Sequence, residues 1–331
     1  MRFFYSSWLA PSVGLDWGSR WGKLVHLRRV GKTFALSRVA RFCWPTDEQG
    51  GKGTLLKAVW AHLGLGKKDV FLALGGNTFF ASSPETFGLE HSVLQLQKPG
   101  GLLSVRPAEY SAGTVLRDKN GNSRHLRISA SREQVEEARR QIQQAGLNVR
   151  VVDNKALALC NLYAFAYADQ RARPVYLLHL GRTHCLLLFY QAGIPVWLER
   201  LELTGELLAG FLAQPPPGEH QTAFPLSGST AGNNSPHGLE NEIEKILVVL
   251  RARQHADTMY LSGGSALLPS LLAALRARLP LDVRILNCWR GLRIDPAFFD
   301  LSYLEAAAPQ FAVACGMALR AATKPGAGEQ A

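Results

Sequence analysis

The chain has 331 residues, 47% hydrophobic and 19% charged, enough apolar sequence for a sizeable core in one large bilobed unit or two domains. Its formal net charge of +11 is the excess of 37 Lys and Arg over 26 Asp and Glu, and the arginines are spread through 28–41, 124–140, 171–182, 251–253 and 276–293 without a block of like charges. This pattern suits a basic exterior facing acidic partners and gives no sign of a specific nucleic-acid site. Cys43, Cys160, Cys185, Cys288 and Cys315 are odd in number, far apart and without a C-x-x-C pair, so neither a disulfide framework nor a zinc site is indicated, and a reducing compartment fits.

The opening MRFFYSSWLAPS lacks the apolar core of a signal peptide, and residues 1–12 are expected to form a loose tail. No later stretch is long and apolar enough for a membrane helix, so any membrane attachment is expected to run through partners. Residues 13–42 then read as three strands, VGLDWG, GKLVHLRRV and TFALSRVARF, separated by turn signals. GTLLKAVWAHLG has helical spacing at Leu55, Leu56, Val59 and Leu63 with Gly64 to close it, and VFLALGG returns as an apolar strand.

From 84 to 150 the sequence becomes polar and turn-rich, and it is expected to form a small inserted α/β subdomain. Within it HLRISAS predicts a strand, Ser131 and Gln134 form a capping-box pattern, and Val135, Ala138, Ile142 and Ala145 make the apolar stripe of a helix that Gly146 ends. LNVRVVDNKALALCNLYAFAYA predicts a strand and a helix that resume the first lobe over 151–172, and DQRARP at 169–174 is the expected hinge.

The second lobe, 173–322, opens with PVYLLHLGRTHCLLLFYQAGIPVWLERLEL, a second three-strand meander with a turn at Gln191–Gly193. Residues 214–236 are rich in Pro, Gly, Ser and Asn and are expected to be a flexible loop, as 323–331 are expected to be a disordered tail. Between them Leu239, Ile243, Ile246, Leu247 and Leu250 predict one helical face, TMYLSGGSALLP predicts strand, glycine turn and helix, and PQFAVACGMALRAA predicts a last, small-residue helix.

No H-E-x-x-H, G-x-S-x-G or G-x-x-x-x-G-K-[ST] pattern occurs, and His179 and His184 do not share a strand face. Two meanders, each opening a lobe, together with a late strand–GG–helix unit, resemble the layout of the actin/Hsp70/hexokinase superfamily. The C-terminal run is more specific: Gly263-Gly264, Asn287, Trp289-Arg290, Ile294-Asp295-Pro296, Tyr303-Leu304, Ala308-Pro309 and Gly316, joined to VGLDWGSRWGKLVHL, closely resemble the type IV pilus assembly PilM family.

That resemblance implies an α/β, bilobed actin/Hsp70-like ATPase fold with ATP and Mg as cofactors. It places Asp16, Gly18, Ser19 and Lys23 at a first phosphate turn, Gly181 at a second, and Gly263, Gly264 and Ser265 under the adenosine. Glu242 and Lys245 stand where this fold contacts ribose or base, and Asp16 is the expected indirect ligand of Mg. Two departures argue against turnover, so no catalytic residue is assigned: His179-Leu180-Gly181 replaces the second Asp-x-Gly, and Lys155 replaces a carboxylate at the start of the helix before the hinge.

The implied role is a scaffold at the cytoplasmic face of the inner membrane. It would bind the PilN N-terminal cytoplasmic peptide, couple the PilN/PilO complex to the pilus motor and allow a homo-oligomer, without specific nucleic acid. The rivals are an active ATPase or small-molecule kinase of the same fold, a GspL-like secretion component and an FtsA-like division protein.

Overall fold

The computed structural model describes residues 12–45, 51–66, 68–75, 77–81, 103–106, 109–117, 123–183, 185–201, 237–251 and 256–321. The expected loop 214–236, the tails 1–11 and 323–331, much of the insert, and His184 lie outside the described residues.

The first meander forms β1 (Ser12–Trp17), β2 (Trp21–Val30) and β3 (Thr33–Cys43), all antiparallel neighbours. Helix α1 (Lys52–His62) leads to β4 (Asp69–Leu74), which lies parallel to β1 on its other side. The chain then leaves this sheet for a four-stranded one made of β5 (Asn77–Ala81), β6 (Leu103–Arg106), β7 (Glu109–Arg117) and β8 (Ser123–Ser131), in the order β5-β8-β7-β6. β5 therefore pairs inside the insert.

Helix α2 (Arg132–Gln144) starts at Ser131, whose hydroxyl accepts from the Gln134 amide, and buries Val135, Ala138 and Ile142. β9 (Asn148–Asn154) then rejoins the first sheet alongside β4. Helix α3 (Lys155–Ala166) follows without a loop, because the Asn154 side chain accepts from the Ala156 amide at 2.7 Å and caps it at once.

The second lobe repeats the plan. β10 (Val175–Leu180), β11 (Cys185–Gln191) and β12 (Ile194–Leu201) are antiparallel, and β13 (Thr258–Ser262) and β14 (Asp282–Ile285) add in parallel. Helix α4 (His237–Arg251) and α5 (Pro269–Arg278) cover its outer face. The strand orders are β15-β3-β2-β1-β4-β9 and β12-β11-β10-β13-β14, so apart from the short edge strand β15 (Leu292–Arg293) the two sheets share one topology.

Helix α6 (Leu301–Ala307) and α7 (Ala312–Ala321) complete the chain. α3 and α7 are the central layer, packed in one core with residues of both sheets such as Leu27, Leu36, Leu177 and Leu188. Contact there is backbone to backbone. A Cβ on Gly316 would sit 1.9 Å from the Ala158 carbonyl oxygen, and one on Gly14 would sit 2.1 Å from that of Ala314.

Side-chain alternation sorts each sheet into two faces. In β1, Val13 and Leu15 join the outer core with α1 and α2, while Gly14 and Asp16 face inward. In β10, Tyr176, Leu178 and Leu180 face outward, while Val175, Leu177 and therefore His179 face inward. Asp16 and His179 thus look from opposite sheets into the space between the lobes, each at the end of its central strand.

Candidate functional site

Asp16 is the centre of the site. It is 1% exposed, and an ionised carboxylate in that position needs cationic partners or its burial would be strongly unfavourable. Two lysines meet the need: Lys23, its cross-strand neighbour on β2, donates to Oδ2 at 2.9 Å, and Lys155 at the start of α3 places its ammonium 2.9 Å from Oδ1. Burial alone would raise the Asp16 pKa, but Lys155, Lys23 and the nearby His179 overcome it and hold the carboxyl well below the usual range.

Lys23 and Lys155 retain 16% and 11% side-chain exposure. The carboxylate is therefore the floor of the cluster, and the ammonium groups are its accessible part.

The second turn is built differently. His179 is 4% exposed, and its Nδ1 lies 3.1 Å from the Ser262 hydroxyl on the parallel neighbour β13. Gly181 follows it as a partly exposed loop residue. Gly263 comes directly after Ser262 with φ +95°, and its Cα lies so close to the second turn that an added Cβ would meet the Leu180 carbonyl oxygen at 2.3 Å. Gly264 and Ser265 open the 3-10 turn that follows, and the space beside Gly264 is free for 4 Å.

Of the residues expected from sequence, Asp16, Gly18 and Lys23 come together, since a Cβ on Gly18 would lie 3.5 Å from the Lys23 ammonium. Ser19 is exposed in the adjoining bend. Gly181 and Gly263 meet through Leu180, with Gly264 and Ser265 next in the chain. Lys245 is exposed on α4, and the side chain of Glu242 lies outside the described residues.

Sequence reasoning singled out Lys155 as a departure without seeing its partner. It also missed Asp153, buried at the end of β9, which accepts from the Asn154 amide at 2.8 Å and pairs with Arg320 of α7 at 3.0 Å. Burial raises the Asp153 pKa, and the single half-exposed arginine lowers it only in part. The run Asp153-Asn154-Lys155 at a strand-to-helix junction, where polar residues stand inside apolar flanks, marks the place but names neither partner.

The donor set does not suit hydrated magnesium. Asp16 is held by two cations, Asp153 by a third, and the second turn offers an imidazole in place of a carboxylate. Among the described residues no group of three or more His, Cys, Asp or Glu side chains stands close enough to hold a metal ion.

Against known proteins, residues 245–322 match the profile of the family described as type IV pilus assembly protein PilM. The solved PilM-PilN type IV pilus biogenesis complex has a chain that superposes with a TM-score of 0.74 at 19% identity, over 95% of this chain and 99% of that one. The chain carries a PilM family segment on an actin-like fold. A second structure, the ethanolamine utilization protein EutJ from Carboxydothermus hydrogenoformans, superposes with a TM-score of 0.51 at 11% identity, covering 94% of this chain and 89% of that one.

At these identities the likeness to both structures is one of fold. No curated protein matches the sequence. Among the described residues no helix is long and apolar enough to cross a membrane.

Proposed function

We propose that this chain is a type IV pilus assembly scaffold at the cytoplasmic side of the inner membrane, which binds the N-terminal peptide of a PilN protein and keeps its actin-like cleft for ligand binding with weak or no hydrolysis. The observation that carries the reading is the likeness to the PilM chain of a PilM-PilN complex along 95% of this chain, joined to the PilM segment at 245–322. Coupling to PilO and the motor, and assembly into a homo-oligomer, follow from the same reading.

The cleft supports a scaffold over an enzyme. Phosphoryl transfer depends on placing the attacking water and neutralising charge, and a carboxylate at the second turn is the usual means. His179, hydrogen-bonded to Ser262, offers none, and Asp16 is already committed to two lysines. ATP remains the proposed ligand on the ground of the actin-like fold and of the glycine turn at Gly263 lying against Leu180 of the second turn. Asp16, Gly18, Ser19, Lys23, Gly181, Gly263, Gly264 and Ser265 are the proposed contacts, with Glu242 and Lys245 toward the ribose and base.

The peptide is expected to lie against the first lobe and the insert. Helix α2 of the insert packs on that lobe: the Gln141 side chain accepts from the Gly53 amide of α1 at 3.0 Å, and Ile142 enters the first lobe's outer core. The test is retention of the full chain on an immobilised PilN N-terminal peptide. Binding at about micromolar Kd or tighter is expected, and equal retention on a scrambled peptide would remove the reading.

A further inference from the structure

We infer that the cleft takes phosphate groups without magnesium, Lys23 and Lys155 supplying the positive charge that a divalent cation would otherwise bring. The inference rests on the reading of the cleft as a nucleoside phosphate site and adds how the ligand's charge is met.

The first argument is a count of charge. At the inner ends of β1 and β9 stand two carboxylates, Asp16 and Asp153, against three paired cations, Lys23, Lys155 and Arg320, so the cluster is positive by one before His179 is considered. A divalent cation near Asp16 would be attracted by one charge and repelled by two at similar distance, and Coulomb energy follows charge product over distance. A triphosphate entering the same space meets the opposite sign.

Accessibility gives the second argument. Asp16 is almost fully covered, whereas its two partners Lys23 and Lys155 keep 16% and 11% side-chain exposure and Arg320, paired with Asp153, keeps 38%. A ligand from the cleft therefore reaches ammonium groups before it reaches the carboxylate. Each ammonium has three N–H donors; Lys23 uses one toward Asp16 Oδ2, and Lys155 stands at ion-pair distance from Oδ1, which leaves donors for phosphate oxygens.

The third argument is that the carboxylate serves another purpose. Two ammonium groups within reach of one buried carboxylate are held at fixed positions by it, so Asp16 acts as the internal counter-ion that orients both lysines. Lys155 is also the first residue of α3, capped by Asn154, so its backbone origin is fixed by the helix. Among the described residues nothing lies within 4 Å of an added Cβ on Gly264, next to the contact of Gly263 with Leu180, which leaves room for a ligand beside the second turn.

Isothermal titration of the full chain with ATP, and separately with inorganic tripolyphosphate, is the test, each with excess magnesium and with excess EDTA. ATP binding in EDTA is expected to equal or exceed that with magnesium, and Lys155→Met and Lys23→Gln are each expected to weaken it by about tenfold or more. ATP binding that appears only with magnesium overturns the inference while leaving the nucleotide site intact. No heat from either ligand in either condition removes the nucleotide site itself, and the inference with it. The wild-type comparison stands without the variants, whose folding is checked by urea titration.

Discussion

The two lobes share a strand order, yet the corresponding ends of their central strands carry opposite chemistry. Asp16 on β1 and His179 on β10 both face inward, both precede an x-Gly turn, and both end a strand flanked by one antiparallel and one parallel neighbour. Their cross-strand partners differ. Asp16 has Lys23 and Ala73, whereas His179 has Leu186 and Ser262. The carboxylate needs two lysines to stay charged in the interior, while the imidazole is satisfied by a hydroxyl. Pairing and the inward–outward alternation hold the duplicated fold, and the turn chemistry has changed within it.

The largest effect is expected in the first lobe. Asp16→Ala leaves Lys23 and Lys155 facing each other half-buried, and a loss of about 3–5 kcal/mol in urea unfolding is expected, as for removal of one partner of a buried ion pair. His179→Ala in the second lobe removes one hydrogen bond to Ser262, and a loss nearer 1–3 kcal/mol is expected. Equal losses at the two sites would mean that the lobes do not differ in the way described.

Backbone packing offers a second contrast. The residue two before Asp16 is Gly14, pressed against α7, whereas the residue two before His179 is Leu177. Gly14→Ala is expected to destabilise by about 3 kcal/mol, because the obstruction at 2.1 Å is the Ala314 carbonyl oxygen and a helix must shift to relieve it. Thermal unfolding measures it. An unchanged Tm would place α7 farther from β1 than it stands here.

Asp16 and Asp153 respond to acid in opposite senses. The folded pKa of Asp16 is depressed, so its stabilisation is complete above its unfolded value, about 3.9, and is lost as pH falls from there through the folded value. Asp153 has a raised folded pKa, so its contribution runs the other way: it is fully present below the unfolded value and is lost as pH rises through the folded one. Asp16→Asn should therefore flatten the fall of the urea midpoint below about pH 4, whereas Asp153→Asn should act above that pH, where it removes the loss of stability that wild type shows as pH rises. The same slope in wild type and Asp16→Asn would show that Asp16 is not the group that titrates.

The smallest effect is expected at the α3 cap. Asn154→Ala removes the acceptor for the Ala156 amide and should cost about 1–2 kcal/mol, with the ion pair of Lys155 loosened alongside. Asn154→Asp keeps an acceptor there, and it is expected to restore most of the stability.

Much of the fold was legible because each meander is punctuated by turn residues and the helices carry apolar stripes. Val135, Ala138 and Ile142 of α2 are buried as their spacing predicts. β10 was harder to resolve into faces, since Val175 to Leu180 are all buried and alternation of polarity vanishes when both sides are covered. That is why the inward direction of His179 emerges only from which core its neighbours join.

Within the site, Asp16, Gly18 and Gly263-Gly264 were visible as turn motifs. The Lys155 pair was not, because a contact between β1 and the start of α3 depends on β4 and β9 bringing the helix beside the strand. The Asp153–Arg320 pair likewise needs α7 in place, and nothing local to either residue reports it.

On the proposed function, this actin-like cleft serves a scaffold. Phosphate release from ATP by the purified chain, followed with magnesium present and with the PilN N-terminal peptide added or withheld, tests it most directly. Release indistinguishable from buffer in both conditions is the expected result, given Asp16 bound to two lysines and His179 at the second turn. Sustained release above about 1 per second, an ordinary enzyme rate, would contradict it.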